Sequence, residues 1–276
     1  MLDSWKRFTA GQPAGGALSK VILESWERCR SFELDFARAN LRRMPLPELR
    51  AVLDANAELI RAARPHLNWA LAAMAPLQPV IVILADRNGI VVDSVGNAPE
   101  AMAAFGLIPG YDWSEQAMGT NGIGTALSFG APVAVVGAEH YISTWHNNTC
   151  VGAPIYDAGR LVGAVDICTM ASDGDPARLV LASFLAHLIA RELGGEAPAF
   201  PDPAVLTRAD VPEGSAHGAT LERHADDLAA LADKLLDAAH LYARRLSLVR
   251  QKVELTQVVQ RIADSYPGVT VSGDPG

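Results

Sequence analysis

The sequence lacks the marks of a nucleic-acid-binding or disulfide-built protein. Of 276 residues, 23 are Lys or Arg and 31 are Asp or Glu, a formal net charge of −8. A broad nucleic-acid surface needs clustered basic side chains, so direct, specific DNA binding by this chain alone is not expected. Its three cysteines, Cys29, Cys150 and Cys168, make neither a CxxC pair nor an even framework. That usage reads as a reducing, cytoplasmic setting. Residues 1–16 hold no apolar h-region, so no secretory leader is expected. The apolar stretch 69–85 is interrupted by Pro76, Gln78 and Pro79 and divides better into a helix end and a strand than into a membrane span. The run 179–190 is too short to span. No G-x-x-x-x-G-K-[ST] phosphate loop occurs, which excludes a P-loop ATPase. Aromatics are only 6 % of the chain, so the gathering of Trp113, Tyr141 and Trp145 in one stretch stands out.

What is present is a half-hydrophobic, one-fifth-charged chain, the composition of a globular protein with a substantial core. The first sixteen residues are polar and rich in Gly and Pro, and are expected to fray. Helices are expected over 18–30, with Val21, Ile22, Trp26 and Cys29 on one face, from Pro47 onward, and from about Pro65 to Ala75. Together they make an N-terminal helical lead-in, residues 1–76. Val80 to Ala85 and Ile90 to Ser94, joined through Asn88-Gly89, read as a β-hairpin. A short helix over 99–105, a strand over 132–136 and a second hairpin about Asp157-Ala158-Gly159 follow. A helix from Pro176 ends at Gly194-Gly195. The sum is α+β, an antiparallel sheet with flanking helices, placed at residues 77–195. Residues 196–218 read as a Pro- and Gly-rich linker. The span 219–266 then reads as one long helix, with Leu221, Leu228, Leu235, Tyr242 and Val249 at seven-residue intervals, a coiled-coil pattern. A disordered tail, 267–276, closes the chain.

The densest chemistry lies between Trp113 and Asp166. Gly119-Thr120-Asn121-Gly122-Ile123-Gly124-Thr125 offers a helix start that Asn121 or Thr120 can cap. Such a start can cradle an anion. It can equally serve a tight turn with close helix-to-sheet packing, since the spacing G-x-x-G-x-G is not a dinucleotide fingerprint. His140, His146, Cys150 and Cys168 are the metal or haem candidates, although His-x5-His-x3-Cys matches no closed zinc pattern. Buried cysteines behaving as small hydrophobes are the plainer alternative. Trp113, Tyr141 and Trp145 can wall an organic ligand or simply close the core. Asp166, an acidic residue inside an apolar strand, can satisfy buried N–H groups or bind a ligand. His224 and His240 lack the following Pro of a phospho-accepting histidine and read as part of a solvated helix face.

Taken in order, several segments resemble the sensory GAF domain of the acetoin-catabolism-regulator family, which belongs to the bacterial enhancer-binding transcriptional activators. They are Ser25-Trp26-Glu27-Arg28-Cys29, Leu84-Ala85-Asp86-Arg87-Asn88-Gly89, Trp113-Ser114-Glu115, Gly119 to Thr125, Glu139-His140, Cys150 to Ile155, and Gly159 to Ile167. They cover roughly residues 20 to 193. The resemblance implies a GAF-like sensor that binds a small molecule. Full-length members continue into an ATPase and a helix-turn-helix, neither of which is visible here. The expectation is a sensor part without its output, acting through a partner or representing a shortened regulator.

Trp113, Glu115, Thr120, Asn121, His140, Trp145 and Cys150 form the expected ligand-binding set. The ligand is a small organic molecule, or less favourably haem or a metal ion. The chain is expected to be a homodimer, held partly by the long helix, whose acidic first half and basic second half favour antiparallel pairing. A protein partner would dock on that helix. No catalytic constellation is recognised. Two other uses stay open: a thiol enzyme or redox sensor of GAF type, with Cys150 as nucleophile and Cys168 as resolving thiol, and a dimerisation scaffold without ligand.

Overall fold

A computed structural model describes residues 1–15, 18–170 and 176–194, without the side chains of residues 176 and 177. The linker 196–218, the long helix 219–266 with its dimer contact, and the tail lie outside the described residues. The strands β1 (Val80–Asp86), β2 (Val91–Gly96), β3 (Val133–Val136), β4 (Thr149–Asp157) and β5 (Arg160–Thr169) form one antiparallel sheet in the order β2-β1-β5-β4-β3. Both hairpins turn where glycine supplies positive φ. In the β4–β5 turn Ala158 and Gly159 have φ of 47° and 77°, the left-handed pair that suits the twist of two antiparallel strands.

The strands read as nearly continuous apolar runs because both faces of the sheet are covered. Val80, Val82, Leu84, Val151, Ala153, Ile155, Val165 and Ile167 point to one side. There α4 (Ala57–Met74) and α8 (Pro176–Glu192) pack on them. Ile81, Ile83, Ala85, Cys150, Ala164 and Cys168 point to the other. This second face is covered by α1 (Leu2–Thr9), α2 (Lys20–Ser31), α5 (Pro99–Ala104), α6 (Glu115–Met118), α7 (Gly122–Phe129) and two 3-10 turns, Gly137–Glu139 and Ser143–Trp145. Among the described residues no helix is long and apolar enough to cross a membrane.

Two local expectations are corrected. The N-terminal residues do not fray: α1 forms, buries Phe8 and donates from Trp5 Nε1 to the Tyr141 carbonyl at 2.8 Å. Polar composition hid a helix whose Trp5 and Phe8, three residues apart, share one face. The second correction concerns the break between lead-in helices. It falls at Asn56, between α3 (Leu46–Ala55) and α4, and α4 runs through Pro65. Pro65 and Arg61, whose carbonyl loses its usual N–H partner, are both exposed, so water can satisfy the freed group. Asn56 instead folds its side-chain amide back on the Val52 carbonyl at 2.8 Å and ends α3 locally.

α1 and α2 belong to the same apolar cluster as the sheet: Phe8, Ile22, Trp26 and Cys29 are continuous with Ile81 and Ile83. Ser19 caps α2 through its Oγ, which accepts from the Ile22 N–H at 3.2 Å, and the helix buries Val21, Ile22, Ser25, Trp26 and Cys29. That is the expected face with a serine added to it.

Candidate functional site

The glycine-rich segment folds as the tighter of its two readings. Asn121 caps α7, its Oδ1 accepting from the Gly124 N–H at 2.9 Å. Its Nδ2 donates to the Gly119 carbonyl at 2.7 Å and to the Trp113 carbonyl at 3.1 Å. The side-chain amide is therefore committed to the backbone on both ends. A Cβ on Gly122 would overlap Asp166 Oδ1, and one on Gly152 of β4 would overlap the Gly122 carbonyl. The glycines exist to bring a helix start against two strands. The Gly124 N–H is taken by its cap, and Gly122 is packed against Asp166 and Cys150.

Four of the expected ligand-binding residues hold hydrogen bonds within the protein. Glu115, at the start of α6, accepts from Arg28 Nε at 2.7 Å and Arg28 Nη2 at 2.9 Å, and from Ser25 Oγ at 2.6 Å. Ser25 Oγ also lies 2.6 Å from Thr120 Oγ1. Trp113 donates from Nε1 to the Gly106 carbonyl at 2.9 Å. Glu115 and Thr120 thus latch α2 to the glycine segment, while Asn121 and Trp113 bond backbone of that segment and of the loop before it. Ser25 and Arg28 complete the latch, and helical periodicity gave no sign of their partners. Glu115→Ala is expected to cost about 2–3 kcal/mol, because it leaves Ser25 and one end of Arg28 without a charged acceptor. Arg28→Ala should cost as much or more, since it strands the Glu115 carboxylate, whose side chain is only 3 % exposed, whereas Arg28, 37 % exposed, can be hydrated when its partner is lost. Urea midpoints of the two variants check the order.

The remaining residues lie in two places on the same side of the sheet. One is the adjacent pair Cys150 and Cys168 with Asp166, which shares its strand face with Ala164 and Cys168. The other is the segment from Glu139 to His146. Two indoles from the lead-in hold it: Trp26 Nε1 donates to the Glu139 carbonyl at 2.7 Å, and Trp5 Nε1 to that of Tyr141. Phe36 supplies a third tie, its carbonyl accepting from the Ser143 N–H at 2.8 Å. Trp145 packs its ring on Trp113 at 5.1 Å and edge-on to Phe105 at 5.6 Å.

On this side of the sheet three buried polar atoms have no hydrogen-bond partner in the protein: Asp166 Oδ1, His140 Nε2 and Trp145 Nε1. Asp166 could serve buried N–H groups or contact a ligand; its Oδ1 receives no N–H within the protein. Burial alone pushes its carboxyl up to about 7. His140 is fully buried, and burial lowers it to about 4 despite the bond from Nδ1 to the Gly137 carbonyl at 2.9 Å. Since Nδ1–H donates to that carbonyl, neutral His140 leaves Nε2 as a bare acceptor. A cleft lined by Ile81, Phe105, Asn148, Cys168 and Met170 among others measures about 10 Å³, room for one water.

The metal candidates do not converge. Cys150 and Cys168 touch each other, while His146 Nε2 bonds the His140 carbonyl at 3.1 Å and its ring meets Trp5 edge-on. Among the described residues no group of three or more His, Cys, Asp and Glu side chains is disposed to hold a metal ion.

Known proteins are similar to this chain. The chain is 33 % identical over 201 residues to the acetoin dehydrogenase operon transcriptional activator AcoR of Bacillus subtilis, covering 71 % of this chain and 33 % of that protein. It is 35 % identical over 179 residues to the propane 2-monooxygenase operon transcriptional activator MimR of Mycolicibacterium goodii, covering 63 % and 30 %. The chain thus spans about a third of the length of these relatives. In the E. coli DhaR(N)–DhaL complex, a chain covered to 68 % superposes on 86 % of this one with a TM-score of 0.60 at 18 % identity, a likeness of fold. Residues 5–190 match the family model of the MimR N-terminal domain, and the chain belongs to that family.

Proposed function

We propose that the chain is the sensing part of a transcriptional regulator and binds a small organic molecule between the sheet and the segment 113–146. The observation that supports this is the set of three buried, unpartnered polar atoms on one side of the sheet. Each costs free energy while it lacks a partner. A ligand carrying a hydroxyl and a second oxygen would offer a donor to His140 Nε2 and an acceptor to the Trp145 N–H, with Asp166 within the same polar set. Such a molecule enters only if the segment 139–146 moves, so binding selects an open state and shifts that segment's population. The shift then passes through the C-terminal helix, 219–266, to a protein partner or the second subunit of a homodimer, with no catalysis and no DNA contact by this chain.

The relatives' names mention operons of acetoin and glycerol metabolism, so acetoin and glycerol head the panel to be titrated by calorimetry. Trp145→Phe keeps the ring and removes only an N–H that has no protein partner. It should weaken binding about tenfold, with little change in melting temperature. His140→Ala should do the same at some cost in stability. Equal affinity in Trp145→Phe and the parent would place the ligand elsewhere.

A further inference from the structure

Cys150 and Cys168 sit directly opposite each other on β4 and β5, and their sulfurs are 3.4 Å apart. Both thiols are free and buried. Opposed residues of antiparallel strands have Cα atoms about 4.5–5.5 Å apart, inside the range disulfides span. The sulfurs need to approach by roughly 1.4 Å to reach a bonded distance of about 2.0 Å. We infer that this pair is a redox-modification site, a dithiol that a hydroperoxide converts to an intrachain disulfide beneath the start of α7.

The two thiols have different parts. Cys150 donates its S–H to Cys168 Sγ, and Cys150 is held protonated, well above the ordinary thiol range, by that contact and by burial. Cys168 lines the small cleft, whose lining also includes Met170, itself 58 % exposed. A small oxidant therefore meets Cys168 first. This order reverses the sequence-based assignment of Cys150 as nucleophile. Cys168 attacks one oxygen of hydrogen peroxide; the S–O bond forms, the O–O bond breaks, and one water leaves with the thiol proton. Cys150 then attacks the sulfenic sulfur; the S–S bond forms, the S–O bond breaks, and a second water carries off the Cys150 proton. The two thiols lose two electrons and the peroxide gains them.

The product reaches beyond the strands. Cys150 packs against Gly122, where an added Cβ would meet the Cys150 Cβ at 3.0 Å, so drawing its sulfur towards Cys168 alters the packing at the first residue of α7. Cys29 is the internal control: it lies on α2 against Thr120 at 3.6 Å, and burial pushes its thiol up to about 11.

The test treats the full chain with graded hydrogen peroxide, then unfolds it and alkylates the remaining thiols. The expected product has lost two alkylatable thiols of three, with a Cys150–Cys168 cross-linked peptide and full recovery by dithiothreitol. Cys150→Ser should trap a sulfenic acid at Cys168 that reacts with dimedone, whereas Cys168→Ser should leave Cys150 unlabelled. Three alkylated cysteines at a dose that has already oxidised exposed Met170 to its sulfoxide would overturn the site, as would a cross-link through Cys29. Dimedone labelling of Cys150 in Cys168→Ser would overturn the order of attack. The peptide map uses the native chain, so it detects or excludes the cross-link even if a serine variant fails to fold.

Discussion

Asp166→Asn should change how stability responds to pH more than any other single substitution in this chain. Asp166 is buried on the face of the sheet that carries Cys150 and Cys168, with no partner at Oδ1, and its folded carboxyl lies at about 7. An unfolded aspartate ionises near 3.9. Between those values the folded state holds the proton and the unfolded state does not. Stability therefore declines as pH rises from about 4 to about 7, and is flat beyond. Three units correspond to about 4 kcal/mol, a ceiling that structural relaxation and water entry would reduce to about 2. His140 opposes this. Its folded value is lowered to about 4, so the unfolded state binds more protons between about 4 and 6.5, and stability rises with pH there. The parent protein then shows a muted profile, and the difference between Asp166→Asn and the parent isolates the carboxyl. The variant should gain on the parent by about 2–4 kcal/mol from pH 4 to pH 8. Urea midpoints across that range measure it. A difference that stays constant with pH would mean the carboxyl ionises normally in the fold.

Gly152→Ala is expected to be the most destabilising conservative change. Its new methyl group would meet the Gly122 carbonyl, a backbone atom of α7, at a separation no real contact shows. Neither partner can yield cheaply: β4 is paired on both sides, to β3 and β5, and α7 is capped by the buried Asn121. Overpacking against side chains costs about 1–3 kcal/mol, and backbone against backbone should exceed it, at about 3 kcal/mol or more. Gly159→Ala is the control. Open space surrounds it, so it should lose only the left-handed backbone penalty, about 1 kcal/mol. If Gly152→Ala unfolds at the same urea concentration as the control, the close approach of α7 to the sheet is not as described.

The two substitutions mark different kinds of information. Tight hairpins, helix caps and strand alternation are short-range physics, and they were readable in Asn88-Gly89, in Ala158-Gly159, in the glycine-rich start of α7 and in the apolar runs of β1, β4 and β5. The break at Asn56 was not, because an exposed proline only weakens a helix whose freed carbonyl water can satisfy. The chemistry-bearing stretch, 113 to 166, was legible as a place, since scarce aromatics, histidines and cysteines crowd there.

Which of its residues are ties and which are left with unmet bonding capacity was decided only in three dimensions. Ser25 reaches Glu115 across 90 positions, and Trp5 reaches Tyr141 across 136. A polar side chain in sequence has only a capacity for hydrogen bonds; its partners depend on what the fold brings within about 3 Å. Glu115, Thr120 and Asn121 met such partners and became structure. Asp166, His140 and Trp145 each kept one buried atom without a protein partner, and no pattern along the chain distinguishes the two groups.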